Sequence, residues 1–475
     1  MADLEMASTT RCDSDLGKAS TSTNDSDLGE TSTSTVASDL ERQASEPKRL
    51  GPKKTAGNMT SATVAIGVLA IPYAFAKLGM IAGTCVCIID GIIATYGSEV
   101  VVRVTLDHPE ITSFAGAVGL LWGKHHKIGC TIALFMVIAY LNMLTGAHAL
   151  FGAQSFGIVF DSPETCDTYL GVAAAGILFL CALTRTFHDF TWFSYIGLSS
   201  VISTLMIGLV GLAVKGIAAQ GGTSNWSWGI PADTTWESGI KAAVAILFAF
   251  SWVTYQITFQ NQMKEPEKCV KSIRILGTMC TFVYTLTGAL FYWLAGDSVA
   301  SLALLSVPQP YRRAAFAVAW PVIFISGGLT TILCARSFLD QVFPKKQGRY
   351  SRRVWILTDA VLTTTAFVIA ETIPVFGALL GLMGSLFVAP STCIVPALFW
   401  FMMVKKGRWY ERKNLMDSTV FALMFMYGLF LMSGGTYVAM KTIIEESSKA
   451  TQEGRGPFSC TSAEYRRVSA RGMIL

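Results

Sequence analysis

The stretch Gly57-Asn58-Met59-Thr60-Ser61-Ala62-Thr63-Val64-Ala65-Ile66-Gly67-Val68-Leu69-Ala70-Ile71-Pro72 carries most of what the chain says about its fold. Continued to Lys77, it reaches the roughly 20 apolar residues that a bilayer crossing takes. Small and hydroxyl residues crowd its first half, and Gly67 and Pro72 follow. Two structures suit that pattern. A helix break near Gly67 would expose backbone N–H and C=O groups at mid-membrane, which is tolerated only where the backbone lines a cavity. N–H groups freed at a half-helix N-terminus attract a carboxylate. Alternatively, the small residues let neighbouring helices approach closely.

Outward from this stretch the same composition continues. Hydrophobic residues make up 52% of the 475 and charged residues only 15%, against roughly 25% charged in a soluble domain. Mean hydropathy is +0.48. Eleven segments reach spanning length: 57–77, 80–104, 128–151, 168–185, 190–215, 240–262, 272–295, 313–340, 354–371, 374–403 and 418–440. Period-two alternation is absent, which argues against a β-barrel. The chain therefore reads as an all-α polytopic membrane protein with about 11 transmembrane helices. With the N-terminus placed in the cytoplasm, the inner loops carry nineteen Lys and Arg and the outer loops five. That asymmetry sets the orientation and leaves the C-terminus outside.

The ends differ from the middle. Residues 1–56 are rich in Ser, Thr and Asp and contain a 12-residue repeat, Ser14-Asp15-Leu16-Gly17 followed by Ser26-Asp27-Leu28-Gly29 and Ser38-Asp39-Leu40. Such a segment cannot bury a core and reads as a disordered cytoplasmic tail, with no cleavable signal peptide. Residues 57–440 form the membrane domain, and 441–475 a polar extracytoplasmic tail. The 11 cysteines fall mostly in apolar runs and suggest no disulfide framework; a Cys166–Cys460 bridge requires both to face outside. Residues 107–127 suit an interfacial inner segment. Residues 216–239 hold Trp226, Trp228 and Trp236 at outer headgroup level, with a sequon at Asn225-Trp226-Ser227.

Within the membrane, polar residues are the candidates for chemistry. The sixth span carries a belt from Ser251 and Trp252 through Thr254, Tyr255, Gln256 and Gln260. It lies five spans from the first, the separation that an inverted repeat with two broken spans requires. It has no central Gly or Pro, so a break there follows from polarity alone. Ionisable groups at depth default to functional hypotheses. Asp90, mid-way along span two, could carry a proton, pair with another helix or line a cavity. His148 titrates near neutral pH and could relay protons, or simply pack. Glu99 and Arg103 suit an i,i+4 ion pair. Tyr140, Asn142 and Ser326 could reach a substrate or bond between helices. No metal-binding His pair, Walker loop, nucleophile elbow or dinucleotide fingerprint is present. We therefore expect no enzyme, no cofactor, no metal and no nucleic-acid partner.

The run from Ala65-Ile66-Gly67 through Pro72-Tyr73 to Leu78-Gly79 resembles the opening motif of the amino acid/auxin permease family. Phe248-Ala249-Phe250 through Met263-Lys264-Glu265-Pro266 resembles that family's sixth-span signature, and Ile373-Pro374-Val375-Phe376 its step before span ten. The likeness covers roughly residues 57–440 and is closest in flavour to fungal neutral amino acid permeases. It implies a five-plus-five inverted-repeat transporter fold with broken helices 1 and 6 and an eleventh helix. It also implies import of neutral amino acids by symport, usually with protons, across the plasma membrane or alternatively the vacuolar membrane. The implied substrate contacts are Thr63, Ala65, Ile66, Gly67, Val68, Asn142, Phe250, Ser251, Trp252, Thr254 and Ser326, with Asp90 and His148 as proton-coupling candidates. Trp252 and Gln262 depart from the fungal pattern, which leaves the substrate and the coupling open. Sodium coupling and a non-transporting nutrient receptor are the alternatives.

Overall fold

The chain is described by a computed structural model that covers residues 50–161, 165–183, 187–218, 225–343, 350–373, 376–452 and 458. Pro52 opens helix α1 (Pro52–Asp107), a first-turn position where its missing N–H costs nothing. The helix leaves helical dihedrals only at Gly79, with φ 78° and ψ 172°. The bend divides α1 into a first arm, 52–78, and a second arm, 80–107. A Cβ at Gly79 would sit 1.9 Å from the Gly229 carbonyl oxygen, so a residue with a side chain fits neither the dihedral nor the space. The loop before α6 (Trp236–Ala249) lies directly on the bend. Met80 N–H donates to Ser227 O, Ile81 N–H to Trp228 O (both 3.1 Å) and Thr234 Oγ1 to Lys77 O (2.8 Å). These contacts pair backbone groups that a helix terminus leaves open.

The chain continues through α2 (Phe114–Leu120), α3 (His126–Phe160), α4 (Asp167–Ala182), α5 (Phe187–Ala218), α6 (Trp236–Ala249), α7 (Gln256–Gln260) and α8 (Cys269–Ala295). Next come α9 (Gln309–Val318), α10 (Trp320–Val342), α11 (Arg352–Thr372), α12 (Phe376–Met383), α13 (Val395–Phe399) and α14 (Leu415–Gln452). Between α12 and α13 the helix widens into π turns at Gly384–Val388 and Pro390–Ile394. Among the described residues no β-strand occurs; the one β-bridge joins Leu50 to Met263. Eight helices among the described residues are long and apolar enough to cross a membrane. The difference from the eleven expected segments falls at the Gly79 bend, at the short α4 and at the interrupted α6–α7. The first arm of α1 lies at the centre, with Val68, Ile71 and Phe75 fully buried, packed against α6 and α8.

Five expectations change. Helix 1 is not broken near Gly67: it is α-helical from Pro52 to the Gly79 bend. The supposed tail is ordered from Leu50, whose N–H donates to Gln262 O (2.7 Å) and whose carbonyl accepts from Lys264 N–H (3.0 Å). Glu99 pairs not with Arg103 but with Arg274, through Nε (2.6 Å) and Nη2 (3.0 Å), because a bidentate fork from a neighbouring helix binds a carboxylate better than an i,i+4 contact does. The last helix runs past residue 440 to Gln452. The expectation of no disulfide framework does not hold either, because Cys130 and Cys166 are disulfide-bonded. The N-terminal repeat, Cys460, Pro374-Val375 and residues 459–475 lie outside the described residues.

Candidate substrate site at the interrupted sixth span

Helix α6 stops at Ala249 although no Gly or Pro stops it. Phe250 (φ −99°, ψ 33°) leaves the helical region, Ser251–Thr254 form a 3₁₀ turn, and Tyr255 (φ −117°, ψ 1°) precedes α7. Side chains from other helices hold this interruption. Tyr284 Oη on α8 lies 3.0 Å from Ala249 O and 3.3 Å from Thr63 O, so it bridges the end of α6 to α1. Trp252 Nε1 donates to Ser98 Oγ (2.9 Å) and Gln256 Nε2 to Ser98 O (3.1 Å). Thr254 Oγ1 donates to Ser391 Oγ in the π-helical stretch (3.0 Å). A buried break is stable only when its freed polar groups are paired in this way.

The first arm of α1 presses against the break. A Cβ on Gly67 would come within 2.8 Å of Ala249 Cα. Gly67 therefore serves close backbone approach at the last residue of α6, the packing role of the two that its sequence allows. Ala65, Ile66 and Val68 are buried beside it. One turn away, Thr63 Oγ1 donates to Met59 O (2.7 Å) and lies 2.6 Å from Tyr255 Oη, which can then donate to it. Ser326 on α10 donates to Ser61 O (2.8 Å). Tyr140 on α3 stands beside Ser251 and against the Phe387 ring, 6.2 Å between centroids. It is fully buried, and its hydroxyl makes no hydrogen bond of good geometry.

The structure thus gathers Thr63, Phe250, Ser251, Trp252 and Thr254 around one break, with Gly67 behind it and Ser326 tied to the same arm. Asn142 is not among them: its Nδ2 donates to Leu362 O (2.9 Å) and Thr365 Oγ1 (3.2 Å) on α11, bonding helix to helix. His148 is buried elsewhere on α3, with Nδ1 2.8 Å from Leu144 O and its Cβ against Gly327. Asp90 is fully buried in the second arm of α1 near Tyr427, Cys87 and Cys393. Neither of its oxygens has a hydrogen bond of good geometry. The sequence did not single out Tyr284, Ser98 or Ser391. The one signal for Tyr284 was a phenol in an apolar span, where a hydroxyl must find a partner.

A helical bundle with a span interrupted at its core defines the class: an integral membrane transporter. The model of the transmembrane amino acid transporter protein family matches residues 48–441, and the chain belongs to that family. It is 31% identical over 422 residues to the N amino acid transport system protein of Neurospora crassa, covering 87% of this chain and 88% of the relative. It is 22% identical over 408 residues to amino acid transporter AVT1I of Arabidopsis thaliana, covering 82% and 95%. Its fold is similar to that of Mhp1, a nucleobase-cation-symport-1 family transporter solved in a closed conformation (TM-score 0.52, 13% identity, 89% of this chain and 97% of that one). A Na⁺-coupled sialic acid symporter gives a TM-score of 0.51 at 12% identity over 84% of this chain and 90% of that one.

Proposed function

We propose that this protein imports neutral amino acids together with protons, by alternating access across eleven crossings of the plasma membrane. The observation that carries the reading is the buried break at Phe250–Tyr255. An amino acid needs acceptors for its ammonium and donors for its carboxylate. The C-terminal end of α6 points carbonyls and the negative end of its dipole into the break, which suits the ammonium. Tyr140 Oη and the Ser251 hydroxyl supply donors for the carboxylate. An unbroken α1 gives this task to hydroxyls rather than to helix-1 backbone. The side chains gathered at the break (Thr63, Tyr140, Phe250, Ser251, Thr254, Tyr255) are all uncharged. A charged substrate side chain would lose its hydration there without a counter-charge, which favours neutral substrates. Asp90, fully buried beside Tyr427, is the residue we assign to the proton. The names of the two relatives described above, both for amino acid transport, agree with amino acids as the substrate class.

The test is uptake of labelled neutral amino acids in transport-deficient cells. Uptake should collapse with a protonophore and ignore replacement of sodium. Binding without uptake, in correctly localised protein, would replace the transporter with a receptor. Dependence on sodium would replace the proton, and a fluorescent fusion on the vacuole would replace the plasma membrane.

A further inference from the structure

On the membrane-facing side, the second arm of α1 and α8 enclose a groove of about 760 Å³. Its floor is small: Gly91 meets Thr281 and Gly277 meets Thr95, so the two helices lock together without bulk between them. Its rims are apolar and face outward, with Ile92 61% and Phe282 66% exposed. From Ile88 to Glu99 it runs eleven residues, about 16 Å at 1.5 Å per residue. That is roughly half of a hydrocarbon core of about 30 Å, the depth of one leaflet.

The groove ends in charge on the inner side. On α1 its lining follows one helical face, Ile88, Ile92, Thr95 and Glu99, and the next position on that face is Arg103. On α8 the face Ala289, Thr285, Thr281 and Thr278 continues to Arg274 and Lys271. All three basic residues are exposed. The carboxylates there are already engaged, Glu99 by Arg274 and Asp417 by the Tyr96 hydroxyl at 2.9 Å. Arg103 and Lys271 have no ion-pair partner within 4 Å among the described residues.

We infer that this groove holds one acyl chain of an anionic phospholipid of the inner leaflet, with the net negative charge of its headgroup on Arg103, Lys271 and Arg274. The length fits one leaflet, the rims fit a chain, and the inner end offers cations where anionic lipids concentrate. The lipid would lie along the outer face of the arm whose inner face carries Asp90. The occupancy does not depend on which solute is carried.

Native mass spectrometry of the full chain in mild detergent, titrated with phosphatidylserine or phosphatidylcholine, tests it. One phosphatidylserine should bind at least tenfold more tightly than phosphatidylcholine. Arg103→Gln with Lys271→Gln should remove that preference. Thr278→Trp, which fills the groove and leaves the cations in place, should weaken binding of the chain itself. Arg352→Gln with Arg353→Gln, on a different inner helix end, should change nothing. Equal affinity for the two lipids, an unaffected R103Q/K271Q protein, a T278W protein that binds as before, or an equal loss in the R352Q/R353Q control would each overturn the assignment.

Discussion

Tyr140 and Asp90 are two of the buried residues, Asp359 on α11 among the others, whose burial is hard to explain without a ligand or a proton. Each places oxygen in the core without a well-formed hydrogen bond, and such a group normally costs about 1–3 kcal/mol. If Tyr140 donates to the substrate carboxylate, Tyr140→Phe removes a charge-assisted bond of roughly 1.5–3 kcal/mol, or about ten- to a hundredfold. Uptake kcat/KM should fall by that factor with surface protein unchanged; a wild-type value would take Tyr140 out of the site. Asp90→Asn keeps the shape but cannot exchange a proton near neutral pH. The pH dependence of uptake should flatten in this variant, and an unaltered profile would make Asp90 structural. Asp90 was legible in the sequence because a carboxylate in an apolar span has no bland surroundings. Gly67 was half legible: the need for smallness showed, whereas the choice between break and close packing depended on Ala249, 182 positions away in the chain.

Among the elements, the two helices expected to break behave differently, for a reason that lies between elements. Helix 1 carries Gly67 and Pro72, the residues that most disfavour a helix, yet stays continuous because its arm is packed on all sides. Helix 6 carries neither and is interrupted, because Tyr284, Ser98 and Ser391 supply partners from three other segments. Polarity revealed that break in the sequence; the donors that sustain it are scattered and could not be read locally. The inner ends of these two helices are also tied together. Leu50, just before α1, holds both Gln262 and Lys264 beyond α7, and Ser272 Oγ donates to Pro52 O (2.9 Å). These ends should therefore move as one body when the inner side opens. Leu50→Pro removes the donor to Gln262 and leaves the carbonyl of that half-buried residue without it, at about 0.5–1.5 kcal/mol. Hydrogen exchange at the Lys264 and Thr55 amides should accelerate about two- to tenfold, with Met80 and Ile81 at the Gly79 bend unchanged. Equal acceleration at both ends would mean a general loss of stability, and no acceleration would mean the tie is not a restraint.

For the whole molecule, the number of crossings decides which side each end occupies, and two contacts bear on it independently of hydropathy. The α6–α7 segment runs from Glu237 at one end to Met263 beyond the other. Leu50 is bridged to Met263, so the N-terminal entry lies at the end where that segment finishes. Lys441, near the end of the last helix, reaches Glu237 at 2.7 and 3.0 Å, so the chain leaves the membrane where the same segment starts. If α6–α7 crosses the membrane, entry and exit lie on opposite faces, as the odd number of crossings in our proposal requires. On the excess of Lys and Arg we propose that the entry lies in the cytoplasm. An epitope at Met1 should then stain only after permeabilisation, and one at Leu475 in intact cells. In protein shown at the cell surface by a fluorescent fusion, staining of both, or of neither, without permeabilisation would mean an even count and would remove eleven. The reverse pattern would keep the count and overturn the charge-based orientation, moving Arg103, Lys271 and Arg274 to the outer leaflet.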